Sequence, residues 1–224
     1  MKTTLVGIEH INHDVSTFWL KPEKSLRYTA GQYIEIYLTH KSPDERGQKH
    51  WFTLSASPTE EFIGITSKFA GNKGSTFKKT LFSLKPGAEI QISEPMGDFV
   101  LPKDEKIPLV FVAGGIGVTP FRSIIKWLID TREKRNIQVI LAASTKTDIV
   151  FEKLFEKYRA QLDEVIGERL TAKKIIQLIG NPDDKRIYVS GPEPMVETLI
   201  KDLEALGIAK DQLVGDYFPG YTNL

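Results

Sequence analysis

Two segments in the C-terminal half of the chain combine residues that are suited to hold a phosphate group. Residues 114–120 read GGIGVTP and follow the unbroken apolar run at 109–113. Three glycines permit a tight turn and let backbone N–H groups approach a ligand without a Cβ atom in the way. We expect Thr119 to cap the next helix and Pro120 to lie in its first turn, where amides and the helix dipole favour an anion. A plain strand-to-helix turn would use the same residues, so this segment alone leaves both interpretations open.

The second segment, residues 187–195, reads IYVSGPEPM. Here Gly191 and Pro192 start a predicted helix directly after a predicted strand. In an open parallel sheet, ligands bind outside the carboxyl ends of the strands, and we expect the two segments to lie side by side there. Taken alone, the second segment is equally compatible with an ordinary helix start.

Strands and amphipathic helices alternate through this half of the chain. Unbroken apolar runs indicate strands buried on both faces, and apolar residues three or four positions apart indicate helices packed on one side. The predicted strands are 109–113, 137–143 and 186–190, and the predicted helices carry apolar stripes at 121–129, 151–158 and 195–206. This alternation predicts a doubly wound α/β domain with a parallel sheet.

The N-terminal half shows short strand-like segments divided by turn residues. The predicted strands are 32–38, 51–54, 62–67 and 89–93, with one short helix at 75–83. Many short strands at close spacing are typical of an antiparallel sandwich or barrel, and we interpret this half as a β-barrel. A polar connector with a proline at each end, residues 102–108, predicts a boundary between domains at 1–102 and 103–224.

The composition narrows the classes of function. Lys and Arg number 30 and Asp and Glu number 29, and the resulting net charge of +1 gives no case for binding nucleic acid or an anionic membrane. The absence of cysteine excludes disulfides, cysteine-bound zinc and cysteine-bound iron–sulfur clusters in this sequence. The histidines show no metal-ligand spacing, and no apolar stretch approaches the roughly 20 residues of a membrane span. We therefore expect a cytoplasmic protein without a metal centre.

Residues 50–58, HWFTLSASP, resemble the flavin-binding strand of the ferredoxin–NADP⁺ reductase superfamily. The pattern there is Arg, any residue, Tyr or Phe, Ser or Thr, and then Leu-x-Ser-x-Pro. Further segments are similar to motifs of the superfamily and follow its order, namely 29–33 (TAGQY), 73–77 (KGSTF), 84–89 (LKPGAE), 94–99 (EPMGDF), 114–120 and 189–195. The resemblance extends from about residue 3 to residue 221.

The resemblance implies a two-domain flavoprotein with FAD on the barrel and NADPH or NADH on the α/β domain. Hydride would pass from the nicotinamide to flavin N5, and electrons would continue to a separate acceptor, a ferredoxin- or flavodoxin-like protein or a small molecule. Phe52 would lie against the flavin and Thr53 would hydrogen-bond near N5. Ser75 and Thr76 would offer hydroxyls and helix amides to the FAD diphosphate, although capping the helix uses the same groups.

The residues expected at the cofactors follow from the resemblance and from the two glycine-rich segments. On the FAD side they are His50, Trp51, Phe52, Thr53, Leu54, Ser55, Lys68, Gly74, Ser75 and Thr76. On the dinucleotide side they are Gly114, Gly115, Gly117, Thr119, Pro120, Ser144, Lys146, Gly191, Pro192 and Met195. The expected catalytic residues are Thr53 and Ser190. The segment 215–221 is similar to the acidic-aromatic ending of compact superfamily members, where Tyr217 or Phe218 would cover the flavin or pack in the core.

Two residues depart from the superfamily pattern. His50 replaces the arginine that binds the diphosphate, and a neutral imidazole lacks both the charge and the fork of a guanidinium. We therefore predict that FAD is held less tightly as the pH rises, with Lys49 or Lys68 as candidate substitutes for the arginine. Ser190 replaces a cysteine near the nicotinamide, which keeps the small size and loses the polarizable sulfur.

The loop 144–148, STKTD, bears on the choice between NADPH and NADH. Lys146, with the hydroxyls of Ser144 and Thr145, favours the 2′-phosphate of NADPH, although a surface lysine can also be merely solvated. Two other functions stay open on the sequence alone. One is a regulatory or docking subunit that binds nucleotides without turnover, and the other is a reductase that uses free flavin as its substrate.

Overall fold

The computed structural model describes residues 1–69, 71 and 74–217. The N-terminal half contains a six-stranded antiparallel sheet with strand order β4-β3-β6-β1-β2-β5. Its strands are β1 (Lys2–His10), β2 (Val15–Pro22), β3 (Tyr33–Tyr37), β4 (Lys49–Thr53), β5 (Ile63–Lys68) and β6 (Glu89–Ile92). One helix, α1 (Thr76–Ser83), lies between β5 and β6 in the sequence.

The two edge strands of this sheet meet, so that the sheet closes on itself. Directly after β4, Leu54 forms an antiparallel bridge with Ile65 of β5, and the Ser55 amide donates to the Gly64 carbonyl at 2.8 Å. Alternate residues of β1, β3 and β6 point inward and are buried, as expected of strands with one solvated face. The predicted β-barrel is therefore confirmed.

Strands β1 and β2 were missed by the pattern analysis. The two pair over most of their length, but their register shifts between Leu5 and Gly7. This bulge interrupts the alternation of inward and outward residues on which strand prediction depends. The barrel core combines β-branched and aromatic side chains with Phe77 and Leu81 of α1, which covers part of the barrel.

The C-terminal half contains a five-stranded parallel sheet with strand order β11-β10-β7-β8-β9. Its strands are β7 (Leu109–Gly114), β8 (Ile137–Ala143), β9 (Gln161–Ile166), β10 (Arg186–Ser190) and β11 (Leu213–Asp216). Its helices are α2 (Thr119–Thr131), α3 (Glu152–Tyr158), α4 (Ala172–Ile179) and α5 (Glu193–Ala205). Separate apolar clusters cover the two faces of the sheet, one with α2 and α3 and the other with α4 and α5. The doubly wound α/β arrangement is therefore confirmed.

The order of the strands along the chain reverses at β7 and β10. The chain runs from β7 to β8 and β9 on one side, and then returns to place β10 and β11 on the other side of β7. A crevice opens at such a reversal because the connections leave in opposite directions. Ala113 of β7 and Ser190 of β10 are register partners at this point, so the two glycine-rich segments lie side by side as expected.

Hydrogen bonds and a partly buried ion pair join the barrel to the α/β half. Arg122 of α2 donates to the Ser55 carbonyl at 3.0 Å and forms a paired contact with the carboxylate of Glu60. Nearby, the Ser123 hydroxyl donates to the Ala56 carbonyl at 2.6 Å, and the Tyr188 hydroxyl reaches a carbonyl of the 94–101 segment. These contacts hold the end of the barrel strand β4 next to the start of α2.

In the part of the chain that the structure describes, none of the helices is long and apolar enough to cross a bilayer.

Candidate functional site

The glycines at the carboxyl end of β7 are required by close contact with the end of β10. A Cβ atom on Gly117 would lie 2.3 Å from the Ser190 carbonyl oxygen and 2.5 Å from the Gly191 nitrogen. A Cβ atom on Gly114 would lie 2.4 Å from the Met195 sulfur. The two strand ends therefore approach each other so closely that only glycine fits between them.

The segment after β7 begins its helical winding earlier than the sequence predicted. Gly115 takes a left-handed φ of 51° and starts a short 3₁₀ helix that ends at Val118. Thr119 already has helical dihedral angles, and its hydroxyl donates to the Ile116 carbonyl at 3.1 Å. An N-cap residue has extended dihedral angles, so the predicted capping role of Thr119 was wrong. Pro120 does lie in the first turn of α2, as expected.

A serine and an aspartate meet at the carboxyl ends of β10 and β11. Ser190 is buried, and its hydroxyl donates to Asp216 Oδ2 at 3.3 Å. The pKa of Asp216 is raised to about 6, mainly by burial and to a smaller extent by the charge of Asp98, while the hydrogen bond from Ser190 opposes the rise. This carboxyl therefore changes its protonation close to neutral pH. Sequence reasoning noted the acidic-aromatic ending but assigned Asp216 no role, because its partner lies 26 residues earlier in the chain.

The aromatic residues after β11 were expected at the flavin. Tyr217 is 36% exposed, and its hydroxyl donates to Glu197 Oε1 on α5 at 3.4 Å. Phe218 lies outside the described residues, so the choice between the two aromatics stays a prediction.

Alternate residues of β4 face opposite sides of the barrel wall. His50 and Phe52 face inward, and their rings lie 4.3 Å and 5.9 Å from the ring of Phe77 on α1. Trp51 and Thr53 belong to the other face, where Trp51 is 38% exposed and Thr53 is buried. Phe52 thus forms part of the barrel core, and its proposed contact with the flavin remains a prediction.

The two residues after β4, Leu54 and Ser55, make structural contacts. Leu54 is fully buried in the barrel core. The Ser55 hydroxyl bonds to Thr66 Oγ1 at 2.8 Å, and its carbonyl accepts from Arg122 of the α/β half. Both residues therefore hold β4 in place beside the crevice.

The N-terminus of α1 already binds a carboxylate. Ser75 caps the helix by accepting from the Lys78 amide at 3.0 Å, which agrees with its predicted capping role. The Thr76 amide donates to Asp44 Oδ2 at 3.0 Å, and the Thr76 hydroxyl accepts from the Asp44 amide at 3.0 Å. Arg46 bonds to Asp44 and is the main reason that the pKa of this carboxyl falls to about 2. Gly74 is buried just before this turn.

Lys78 was not predicted, although it lies beside His50. The pKa of His50 is lowered to about 4, mainly by burial and next by the positive charge of Lys78. The imidazole is therefore neutral at pH 7, and without a bound anion it adds no charge. Burial and Arg46 lower the pKa of Lys78 to about 8, which leaves its ammonium charged at neutral pH. The positive charges of this region thus come from Arg46 of the loop and Lys78 of the helix, and not from His50.

Neither candidate substitute for the missing arginine lies at the helix N-terminus. The Lys68 ammonium donates to Asp148 Oδ1 at 2.7 Å and lies 3.2 Å from Asp14 Oδ2. The Lys68 ammonium therefore links the barrel to the α/β half. Because it is already paired with two carboxylates, we no longer assign Lys68 to the diphosphate. Lys49 is largely exposed and lies 3.6 Å from Glu35.

The lysine of the loop after β8 is paired with carboxylates from α3 and β9. Lys146 Nζ donates to Glu152 Oε1 at 2.8 Å and also contacts the carboxylate of Glu164. Ser144 is exposed at the end of β8. A small groove beside this loop runs along the carboxyl ends of β7 and β8 and is lined by Ala113, Gly115, Leu141, Ala143, Asp148 and Val150.

Comparison with known proteins gives two family matches that cover both halves of the chain. The oxidoreductase FAD-binding domain family matches residues 2–101, and the oxidoreductase NAD-binding domain family matches residues 111–175. The reductase component of propane 2-monooxygenase from Rhodococcus jostii is 26% identical over 97% of this chain and 63% of its own length. The first curated relatives are longer than this chain, which spans 55% to 63% of their lengths.

Solved structures with the same fold cover nearly the whole chain. The flavohem-like FAD/NAD-binding domain of nitric oxide dioxygenase from Vibrio cholerae has a TM-score of 0.81 at 23% identity, with 96% of this chain and 97% of that chain covered. A ferredoxin–NADP⁺ reductase from Neisseria gonorrhoeae with bound FAD and NADP has a TM-score of 0.79 at 16% identity, with 96% and 97% covered.

Proposed function

Because the chain belongs to the ferredoxin–NADP⁺ reductase-like superfamily of FAD-dependent NAD(P)H oxidoreductases, we propose that it delivers electrons from NADH to a separate acceptor. The expectations of FAD, of a nicotinamide dinucleotide and of oxidoreductase activity are confirmed by the two family matches. The preferred dinucleotide, the acceptor and the roles of individual residues are proposals.

The residues at the α1 N-terminus fit the diphosphate of FAD. The best support is that a carboxylate, Asp44, already accepts from the Thr76 amide, which means that this turn binds an anion. Arg46 and Lys78 bring two positive charges to the same place. We propose that Ser75 and Thr76 hold the diphosphate there, with the flavin extending along the outer face of β4.

When bound, FAD accepts a hydride at flavin N5 and releases electrons to the acceptor. We propose that the chain's own residues position the reaction. Thr53 lies on the outer face of β4 and is buried. Ser190 lies across the crevice, where its hydroxyl donates to Asp216. In this proposal, Asp216 orients Ser190 towards the nicotinamide and holds a proton at Oδ2 below about pH 6.

The surroundings of Lys146 favour NADH over NADPH, in contrast to the expectation from the sequence. Two glutamates, Glu152 and Glu164, contact the one ammonium group, so the local charge is negative. A negatively charged pocket repels a 2′-phosphate, whereas a carboxylate can accept from the ribose 2′-hydroxyl of NADH. We propose that Glu164 and Glu152 give this discrimination.

One observation supports the hydride-transfer proposal most strongly, namely the contact between the two glycine-rich turns at the strand reversal, with Gly117 against Ser190. The test is anaerobic addition of NADH, and then NADPH, to the FAD-loaded protein while the visible flavin absorbance is followed. We expect stoichiometric bleaching by NADH and a much slower reaction with NADPH. A flavin that neither dinucleotide can reduce would contradict the proposal.

The choice of dinucleotide has its own test. Replacing Glu164 with Gln should raise the affinity for NADP⁺ by about fivefold, because one unfavourable charge near the 2′-phosphate is removed. The matched control is Glu156→Gln, which makes the same charge change at an exposed position of α3. Equal NADP⁺ affinity in the two variants would contradict the assignment of Glu164.

The acceptor is proposed from the relatives. The Rhodococcus jostii protein is the reductase component of a monooxygenase, and other relatives are flavohemoproteins. We propose that this chain likewise reduces a redox partner protein. Stopped-flow measurement of electron transfer to ferredoxin, flavodoxin and cytochrome probes would identify the class of acceptor. Reduction of dioxygen or quinones alone would contradict the proposal of a protein acceptor.

A second function is favoured by one observation. Asp44 competes with the diphosphate for the Thr76 amide, so FAD bound there can be held weakly and exchange with solution. The protein would then reduce free flavin as a substrate. Loss of the yellow colour on desalting, with activity restored in proportion to added flavin, would support this second function.

A further inference from the structure

The loop between β3 and β4 places a carboxylate on the N-terminus of α1. Asp44 Oδ2 accepts from the Thr76 amide at 3.0 Å, and the Asp44 amide donates to the Thr76 hydroxyl at 3.0 Å. That hydroxyl also bonds to His40 Nε2 at 3.0 Å. Loop and helix are therefore joined by both the backbone and the side chain of Asp44, over a separation of 32 residues.

Arg46 holds the same carboxylate from the solvent side. Its Nη2 donates to Asp44 Oδ2 at 2.7 Å and its Nε donates to the same oxygen at 3.2 Å. The Arg46 side chain is 37% exposed and lies on the loop that connects β3 and β4. A guanidinium binds phosphate oxygens with the same planar fork that it uses for carboxylates.

The charges around this carboxylate are better matched by a divalent anion. Arg46 and Lys78 contribute two positive charges, and Asp44 contributes one negative charge. The strand position that carries an arginine in the superfamily is His50, which is neutral at pH 7. A diphosphate carries two negative charges, which would match the positive charges of Arg46 and Lys78.

We propose that Asp44 occupies the diphosphate position in the flavin-free protein, and that FAD displaces Asp44 and takes over Arg46. Arg46 on the loop then takes the place of the arginine that His50 replaces on β4. This inference rests on the proposed FAD site. It adds a cofactor-binding residue, Arg46, and an internal competitor, Asp44, in the segment 38–48.

The first test compares charge-matched variants of neighbouring loop residues. Flavin-free protein is titrated with FAD and, separately, with riboflavin, which has no phosphate, and flavin fluorescence reports binding. Asp44→Asn removes the competing charge and keeps an amide oxygen for the Thr76 amide. We expect it to bind FAD about fivefold more tightly than the wild type and to bind riboflavin unchanged. The control Glu45→Gln makes the same charge change at the next, exposed position and should leave both affinities unchanged.

The second test removes the guanidinium. Arg46→Ala should weaken FAD binding about tenfold, and the same loss should appear in the Asp44→Asn background, where the ion pair between Arg46 and Asp44 is removed. Lys41→Ala is the control, because it removes an exposed cation from the same loop. Thermal unfolding of each flavin-free variant reports whether α1 remains folded.

The outcomes separate the two proposals. FAD affinities for Asp44→Asn and Arg46→Ala that equal those of their controls would overturn the exchange of Asp44 for diphosphate. Equal gains for FAD and riboflavin would also overturn it, because riboflavin has no group for the α1 N-terminus. Failure of the wild-type protein to bind FAD under any condition would instead overturn the proposed function itself.

Discussion

Replacing Gly117 with Ala tests the contact on which the proposed hydride transfer depends. The added Cβ would lie 2.3 Å from the Ser190 carbonyl oxygen and 2.5 Å from the Gly191 nitrogen, whereas ordinary contacts lie at 3.4–4 Å. Both neighbours are backbone atoms, so they cannot rotate away like a side chain. The turn after β7 and the end of β10 must therefore separate by about 1 Å, since overpacked sites relax by small backbone shifts.

Two effects of known size follow from this separation. Overpacking of this kind lowers the free energy of unfolding by about 1–3 kcal/mol, which corresponds to a melting temperature several degrees lower for a chain of this length. A shift of about 1 Å in a positioning element can lower the rate of a chemical step on the order of 100-fold. We therefore expect Gly117→Ala to remain folded but to reduce its flavin very slowly with NADH.

The assay combines thermal unfolding, followed by circular dichroism, with anaerobic stopped-flow measurement of flavin reduction. Gly7→Ala is the control, because a Cβ on Gly7 meets no atom within 4 Å. Gly115→Ala separates steric overlap from backbone strain. Its Cβ also enters open space, but its φ of 51° is left-handed and costs roughly 1–2 kcal/mol for a residue with a side chain. A Gly117→Ala protein with wild-type stability and a wild-type reduction rate would refute the reasoning.

Three further predictions use other contacts. Because Lys78 has a pKa of about 8, the affinity for FAD should fall about fourfold between pH 6 and pH 8.5. In FAD titrations at both pH values, Lys78→Met should abolish this dependence, whereas the exposed control Lys79→Met should retain it. Because the pKa of Asp216 is raised from 3.8 to about 6, the folded protein binds the proton more tightly and its stability should fall from pH 4 to pH 6. Asp216→Asn should lack that fall and be about 3 kcal/mol more stable than the wild type at pH 7, as measured by urea unfolding. Equal pH profiles of the two proteins would contradict this. Glu60→Gln removes the charged partner of Arg122 and should destabilise the protein by about 2 kcal/mol in the same assay. An unchanged unfolding curve would show that this ion pair does not contribute to stability.

We predict the same direction for the pH dependence of FAD binding as from the sequence, but we assign it to a different residue. From the sequence alone, His50 is the expected cause because it replaces an arginine. Burial lowers the pKa of His50 to about 4, so this imidazole does not titrate between pH 6 and pH 8.5 in the flavin-free protein. Lys78 does titrate in that window because it is buried beside Arg46. Lys78 lies far along the chain from residues 46 and 50, and only the barrel fold brings the three together.

Lys68 and Lys146 show a related limit of sequence reasoning. Each was expected to bind a phosphate because a cation stood at a plausible position. In the structure, the carboxylates of Asp14 and Asp148 surround Lys68, and those of Glu152 and Glu164 surround Lys146. The role of a cation depends on the charges around it. Each of these carboxylates lies on a different element from the lysine that it contacts, so the sequence around the lysine does not reveal it.

The sequence by itself determined the two fold classes, the order of the motifs and the glycines of the strand-end turns. These features are local, because strand and helix periodicity and glycine turns depend on residues within a few positions of one another. Only the tertiary structure decided which charges meet, namely Asp44 with Thr76, Lys68 with Asp148 and Ser190 with Asp216. Electrostatic interactions depend on distance in space, and chain folding sets that distance for residues that are 26 to 80 positions apart.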